Sequence, residues 1–366
     1  MKRAAAVIAI SALFSVKSVT AEVAPIQDDA RLRDRCGGVD GGLDKVARVL
    51  ASRRIHGLTA LDQAALTDAL RVVGAPYVWP RAWIASASSE ASLEQALTTW
   101  LGTEKKLGVR RCGVARGRDK SGAWVVAAIE VDALADLAPL VMHSHVGSWL
   151  TIDSHLLVAA SDARAVVIEP DGTTRRLLAS FVDGRLLARF APDRSGPFTV
   201  QVVADVDGGP RPVLEARVTA DGVATEVGTD DPSDLACAGT DDASSITCMI
   251  QSLRSRTALV PFTRDARLDA MAKAHVAKMR ATKNLAHDAG DGDPVARLAE
   301  ANLTARVVGE NVAHAESTLG AHRSLDASPS HRENLLSRDF DRLGVAVAAD
   351  VDGTVWVVEE FAADLE

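Results

Sequence analysis

Three side chains, far apart in the chain, have types suited to shared chemistry: His287, Glu310 and His331. His331 lies in Ser328-Pro329-Ser330-His331-Arg332-Glu333-Asn334. Ser328 is a good helix cap and Pro329 suits the first helical position, which puts His331 in the first turn. The positive end of the helix dipole disfavours imidazolium there. The neutral ring that remains can bind a metal or accept a proton. Glu310, in Gly309-Glu310-Asn311-Val312, is expected near another helix start, where the same dipole favours a carboxylate. Two neutral imidazoles and one carboxylate are a reasonable set for Zn²⁺ or a similar divalent cation with an open position. Glu310 would then be a third ligand or the base that activates water.

The other candidates have plainer readings. His275 sits on the apolar stripe Leu268, Met271, Ala272 and Met279 and is expected to be a satisfied core histidine. His314 and His322 are expected on the surface. His143, His145 and His155 have metal-like spacing but fall where β-structure begins, and are read as edge or loop residues. Ser328 is assigned to capping and no Gly-x-Ser-x-Gly elbow occurs, so a serine nucleophile is not favoured. Arg53-Arg54, Lys105-Lys106 and Arg175-Arg176 are read as solvated faces.

The elements that must position the trio follow from periodicity. Leu43, Val46, Ala47 and Leu50 recur at helical spacing, as do Leu61, Ala65, Leu66 and Leu70, then Leu93, Ala96, Leu97 and Trp100. Strand-like runs follow at 111–116 and 123–131. A second stretch has short β-type runs at 149–152, 156–160, 165–169, 175–181, 186–190, 198–205 and 213–219, with Pro170-Asp171-Gly172, Asp183-Gly184 and Gly208-Gly209-Pro210 as turns. Strands repeating about every 10 residues suggest a small β-sandwich. Residues 207–212 are read as a long hairpin tip. A third stretch is helical first and ends in strands at 343–349 and 355–361.

The resulting expectation is an α+β multidomain chain: an N-terminal α+β lobe (22–136), a central β-sandwich (137–222), a linker (223–243) and a C-terminal domain (244–366). Residues 1–21 read as a secretory signal, with Lys2 and Arg3, a short apolar stretch, and Val19-Thr20-Ala21 before the cut. No Cys follows to carry a lipid anchor. The expected location is therefore secreted or periplasmic. In that setting Cys36, Cys112, Cys237 and Cys248 suggest disulfides; local pairing, 36–112 and 237–248, is the simplest of three connectivities. Asp and Glu (49) outnumber Lys and Arg (41), and aromatic residues are 4%. Both numbers argue against a nucleic-acid partner, which needs clustered cations and stacking rings. No apolar run has the roughly 18–20 residues that a membrane span requires.

The third stretch resembles the CAP superfamily (cysteine-rich secretory, antigen 5 and pathogenesis-related proteins), in particular its compact bacterial SCP-like branch. The residues that carry the resemblance are Leu268-x-x-Met271-Ala272-x-x-His275-x-x-x-Met279, Leu285-Ala286-His287, Gly309-Glu310-Asn311-Val312-Ala313 and Ser328–Leu336, closed by Leu343–Val347 and Trp356-Val357-Val358-x-x-Phe361. It covers about residues 248–363. It implies an α-β-α sandwich with a central cleft, in which His287, Glu310 and His331 are three of four cleft residues. The fourth would fall near Ser328, where no acid stands; Asp326 is close, and Glu359 or Glu360 is a candidate substitute. A Trp usual six residues before the last His is Leu325 here. The strand pair at 111–115 and 122–126 echoes the last two strands, so the N-terminal lobe resembles a degenerate domain of the same plan. The expected function is binding of a lipid, glycan or peptide in the cleft. Two alternatives are a metal-assisted hydrolase of an extracellular polymer, using His287, Glu310 and His331, and a structural envelope module.

Overall fold

A computed structural model describes residues 26–28, 32, 40–102, 107–222, 232–237, 239 and 242–366. The proposed signal segment and Cys36 lie outside them. The described residues form a mixed α/β structure with four sheets.

The first sheet has the order β1-β3-β4-β2, from Gln27–Asp28 (β1), Arg81–Ala87 (β2), Val109–Arg118 (β3) and Trp124–Ala133 (β4). Helices α1 (Gly41–Ile55) and α2 (Gln63–Val72) lie over one face and α3 (Glu90–Leu101) over the other. The caps are local: the Asp40 carboxylate accepts from the amides of Gly42 and Leu43, and Asp62 accepts from Ala65. β2 escapes the sequence reading, because Pro80 and the mixed run Arg81–Ala87 lack clean alternation.

Two further sheets pack face to face. One has the order β10-β11-β7-β5, from Ala135–Leu137 (β5), Leu150–Leu156 (β7), Ala179–Val182 (β10) and Arg185–Phe190 (β11). The other is β6-β13-β12-β8-β9, from His143–Ser144 (β6), Asp162–Ile168 (β8), Thr174–Leu177 (β9), Gly196–Val206 (β12) and Gly209–Ala220 (β13). Ile152, Leu186, Val200, Val202 and Leu214 fill the space between them. The expected strand at 175–181 is two strands in different sheets, broken at the exposed Leu178. The expected strand at 156–160 does not form; β7 ends at Leu156.

The expected linker also differs. It holds a helix, α4 (Pro232–Cys237), joined to α5 (Ala243–Arg256) by the disulfide Cys237–Cys248. The side chain of Arg256 adds bonds to Ser233 and Asp234. Cys112 is also disulfide-bonded.

The fourth sheet is β14-β16-β17-β15, from Thr263–Arg264 (β14), Val307–Ala315 (β15), Arg342–Ala349 (β16) and Val355–Ala363 (β17). Alternation sorts its residues onto two faces. Val312, Ala346, Trp356 and Val358 meet Ala272, Val276 and Met279 of α6 (Ala266–Thr282). Ala313, Val345 and Val357 meet α5 together with Leu325 of α8 (Thr318–Asp326) and Leu335 of α9 (Pro329–Leu336). The short helix α7 (Pro294–Glu300) adds Leu298 to the α6 side.

Candidate functional site

Glu310 is on a strand, not at a helix start, which corrects the sequence expectation. Gly309 is a site of close approach: a Cβ there would stand 2.7 Å from the Phe340 ring. In register, Glu310 faces Glu360 and Asn311 faces Glu359 across β15 and β17. Alternation therefore divides four buried polar residues between the two faces of the sheet.

On the α6 side, Arg297 of α7 donates to Glu310 and, at 3.2 Å, to Glu360. Its other terminal nitrogen donates to the carbonyls of His287 (2.7 Å) and Gly292 (2.6 Å). The ring of His287 bonds through Nδ1 to Glu310 Oε1 at 2.6 Å. Burial pushes the Glu310 carboxyl up to about 8 and raises Glu360 as well. Two buried carboxylates against one guanidinium cannot both ionise cheaply, so the pair keeps one proton at neutral pH. Glu360, whose Oε2 has no hydrogen-bond partner, is where the proton costs least. Glu310 then remains an acceptor for both Arg297 and His287. Burial lowers His287 to about 4, so its ring is neutral.

On the opposite face, the Asn311 side-chain amide donates to Glu359 at 2.9 Å and to the His331 carbonyl at 3.2 Å. Burial pushes Glu359 up to about 8. His331 does lie in the first turn of α9, but Ser328 does not cap that helix with its side chain. Its Oγ instead meets His331 Nδ1 at 2.8 Å and accepts from Gln201 Nε2 at 2.8 Å. Gln201 belongs to β12, in the packed pair of sheets. Burial, more than the helix dipole, makes His331 neutral, lowering it to about 3.

Both histidines line two adjoining hollows of about 370 and 400 Å³. Glu310 lines the second. The walls come from all over the chain. Trp79, in the loop before β2, meets the His331 ring edge-on at 6.4 Å. Gly208 and Gly209, at the tip of the β12–β13 hairpin, have φ of +89° and +105° and lie against the His287 loop. A Cβ on Gly209 would come within 2.9 Å of His287 Cβ. The Asp288 amide donates to the Gly208 carbonyl at 3.0 Å, and the Arg211 guanidinium donates to the Leu285 carbonyl.

The trio thus borders one cleft. Among the described residues no group of three or more His, Cys, Asp or Glu is placed to hold an ion. Each Nδ1 of His287 and His331 is already bonded to a protein oxygen. His275 is fully buried and bonds through Nδ1 to Asp291 (2.8 Å) and through Nε2 to the Ala286 carbonyl (3.1 Å). His322 is fully buried rather than superficial, and His314 is half-buried, stacked on Trp356 at 4.3 Å. His145 is exposed and paired with Asp221. Asp326 accepts from Arg332.

Sequence reasoning missed Arg297, Gln201, Trp79 and Arg211. Arg297 alone had a local signal: it sits in a helix opened by Asp293-Pro294, three residues after the proline, and so faces back toward the Gly292 turn.

Comparison with known proteins matches residues 249–361 to CAP, the cysteine-rich secretory protein family. A search among curated proteins returned no match. Among solved structures, an extracellular protein containing an SCP domain from Bacillus anthracis is 14% identical, covering 71% of this chain and 83% of its own, with a TM-score of 0.31. A cysteine-rich secretory protein from Staphylococcus aureus is 14% identical over 74% of this chain and 90% of its own, at 0.29. An outer surface protein of Borrelia burgdorferi is 22% identical over 32% of this chain and 89% of its own, at 0.30.

Proposed function

From the premise that residues 249–361 form a domain of the CAP superfamily, we propose that this chain is an exported binding protein whose C-terminal cleft takes a lipid, glycan or peptide through His287 and His331. One observation carries this reading. Two neutral histidines, each fixed by its own polar partner, border the same solvent-reached hollows, and residues of the other two regions roof them. A partly preformed hollow whose walls set polar groups such as Asp132 and Asn284 beside Trp79 can hold a polar ligand. The sandwich sheets serve as the frame that holds the roof. The N-terminal region serves as a lobe built on the CAP plan without its polar site. Export is favoured by the residue pattern at 1–21 and by the extracellular neighbour from Bacillus anthracis.

The hydrolase reading keeps one supporting observation. The 2.6 Å contact of His287 with Glu310, a carboxyl pushed up to about 8, can relay a proton. The test screens the full chain and a His287→Ala, His331→Ala double variant on unbiased lipid, glycan and peptide arrays, and on cell-wall polymers for cleavage. Binding that the double variant loses supports the first reading. Cleavage lost in Glu310→Gln would favour the second. Equal signals from both proteins would remove the cleft from the function.

A further inference from the structure

The hydrogen bonds around the two histidines fix more than their positions. The Ser330 amide donates to Gln201 Oε1 at 3.0 Å, which settles the orientation of that side-chain amide. Both hydrogens on Gln201 Nε2 are then spent, one on Glu215 and one on Ser328 Oγ. Glu215 is held by Arg71 on its other oxygen. Ser328 Oγ therefore accepts from Gln201, and among the described residues His331 Nδ1, at 2.8 Å, is the partner placed to take its own hydrogen. His331 consequently carries its proton on Nε2 and offers the cleft a donor. His287 is the reverse case: its Nδ1–H is drawn to Glu310, so its Nε2 offers the cleft a lone pair.

We propose that the two cleft histidines are held in opposite tautomers, His287 accepting and His331 donating, that Gln201 is the positioning residue for His331, and that the pair selects the hydroxyls of an oligosaccharide. A hydroxyl donates and accepts at one atom, so a run of hydroxyls satisfies a fixed acceptor and a fixed donor together. A lipid tail satisfies neither. A divalent cation needs a lone pair from each ring and meets N–H at His331. The first hollow adds the other half of a sugar site. Trp79 supplies an aromatic surface, with Gln63, Asp132 and Asn284 as planar polar neighbours. Trp79 holds φ of +55°, a costly conformation for a bulky residue, which the site retains.

The ligand class rests on the binding reading above; the tautomers do not. The test therefore has two arms, both on the full chain. Nitrogen-15 NMR of the imidazoles at neutral pH should show His331 protonated at Nε2 and His287 at Nδ1. Ser328→Ala and Gln201→Ala should shift His331 toward the other tautomer, while Ser328→Thr, which keeps the hydroxyl, should preserve it. His331 protonated at Nδ1 in the wild type overturns the proposal whatever the ligand. In the second arm, an array of neutral oligosaccharides should bind the wild type and Ser328→Thr alike. Binding should weaken by about tenfold in Ser328→Ala, the size of one lost hydrogen bond. Capture of lipid vesicles or peptides but no saccharide overturns the ligand class and leaves cleft binding standing. Capture of nothing overturns both.

Discussion

The N-terminal and C-terminal sheets share a frame and differ in what they bury. Their strand orders correspond, β1-β3-β4-β2 and β14-β16-β17-β15. Each lays a helix across its two long middle strands at a glycine. A Cβ on Gly113 would stand 2.1 Å from the Leu43 carbonyl carbon, and one on Gly344 would stand 2.3 Å from that of Leu268. Asp44 then accepts from the Val114 amide, and Asp269 from the Val345 amide. Where the C-terminal register pairs Glu310 with Glu360 and Asn311 with Glu359, the N-terminal one pairs Ala82 with Ile129 and Trp83 with Ala128. At these paired positions the N-terminal frame carries no carboxylate; its buried Glu130 lies one residue further along β4 and is paired with Arg81 and Arg110. The C-terminal sheet keeps four buried polar residues whose desolvation weakens it, and such groups persist where a site uses them.

The largest effects should come from the shared contact. Gly113→Ala and Gly344→Ala each push a methyl into helix backbone that cannot move aside, so each should lose about 3 kcal/mol or more in urea unfolding. Tolerance of one but not the other would break the equivalence of the two sheets. Next, Arg297→Ala leaves Glu310 and Glu360 buried without their cation and should cost about 3–5 kcal/mol. A Glu310→Gln, Glu360→Gln pair in that background should recover part of the loss.

The pH dependence sharpens the contrast. Glu359, raised from 4.5 to about 8, and Glu360, raised well above 4.5, hold protons that the unfolded chain has released. Their contribution is full below 4.5 and is lost as pH rises, for Glu359 by about 8. His287 and His331, lowered from 6.5 to about 4 and about 3, contribute above 6.5 and lose that contribution as pH falls toward 3. Between 4.5 and 6.5 these slopes oppose each other, and His275 and His322, also lowered by burial, add to the histidine side. Stability should therefore be greatest near 6.5 and decline on both sides. Glu359→Gln should make the decline above 6.5 shallower by about 1.4 kcal/mol per pH unit, as read by denaturant unfolding at a series of pH values. The smallest effect is that of the matched helix–strand bonds. Asp44→Ala and Asp269→Ala should each cost about 1–2 kcal/mol, and by similar amounts.

Much of this frame was legible in the sequence, because it rests on periodicity. The stripe Leu43, Val46, Ala47, Leu50 gave α1, and the alternating runs gave most long strands. Glu310 was misplaced because Gly309 reads as a helix start when it is in fact a gap for the Phe340 ring. Ser328 was misassigned because a serine before Pro329 is a cap by local rules, and only Gln201, 127 residues away, redirects it. His322 sits between Ala321 and Arg323, a sequence context that does not reveal its burial. Trp79 and Arg211 carried no local pattern at all; their role exists only once three regions meet.

The grip of the β12–β13 hairpin on the His287 loop has a practical corollary. Residues 244–366 expressed alone would keep every letter of the family motif, yet lose the Gly208 carbonyl that holds Asp288 and the amide that orients Ser328. Homologous shuffling that trades C-terminal cassettes between proteins should therefore fail unless the upstream hairpin travels with its cassette.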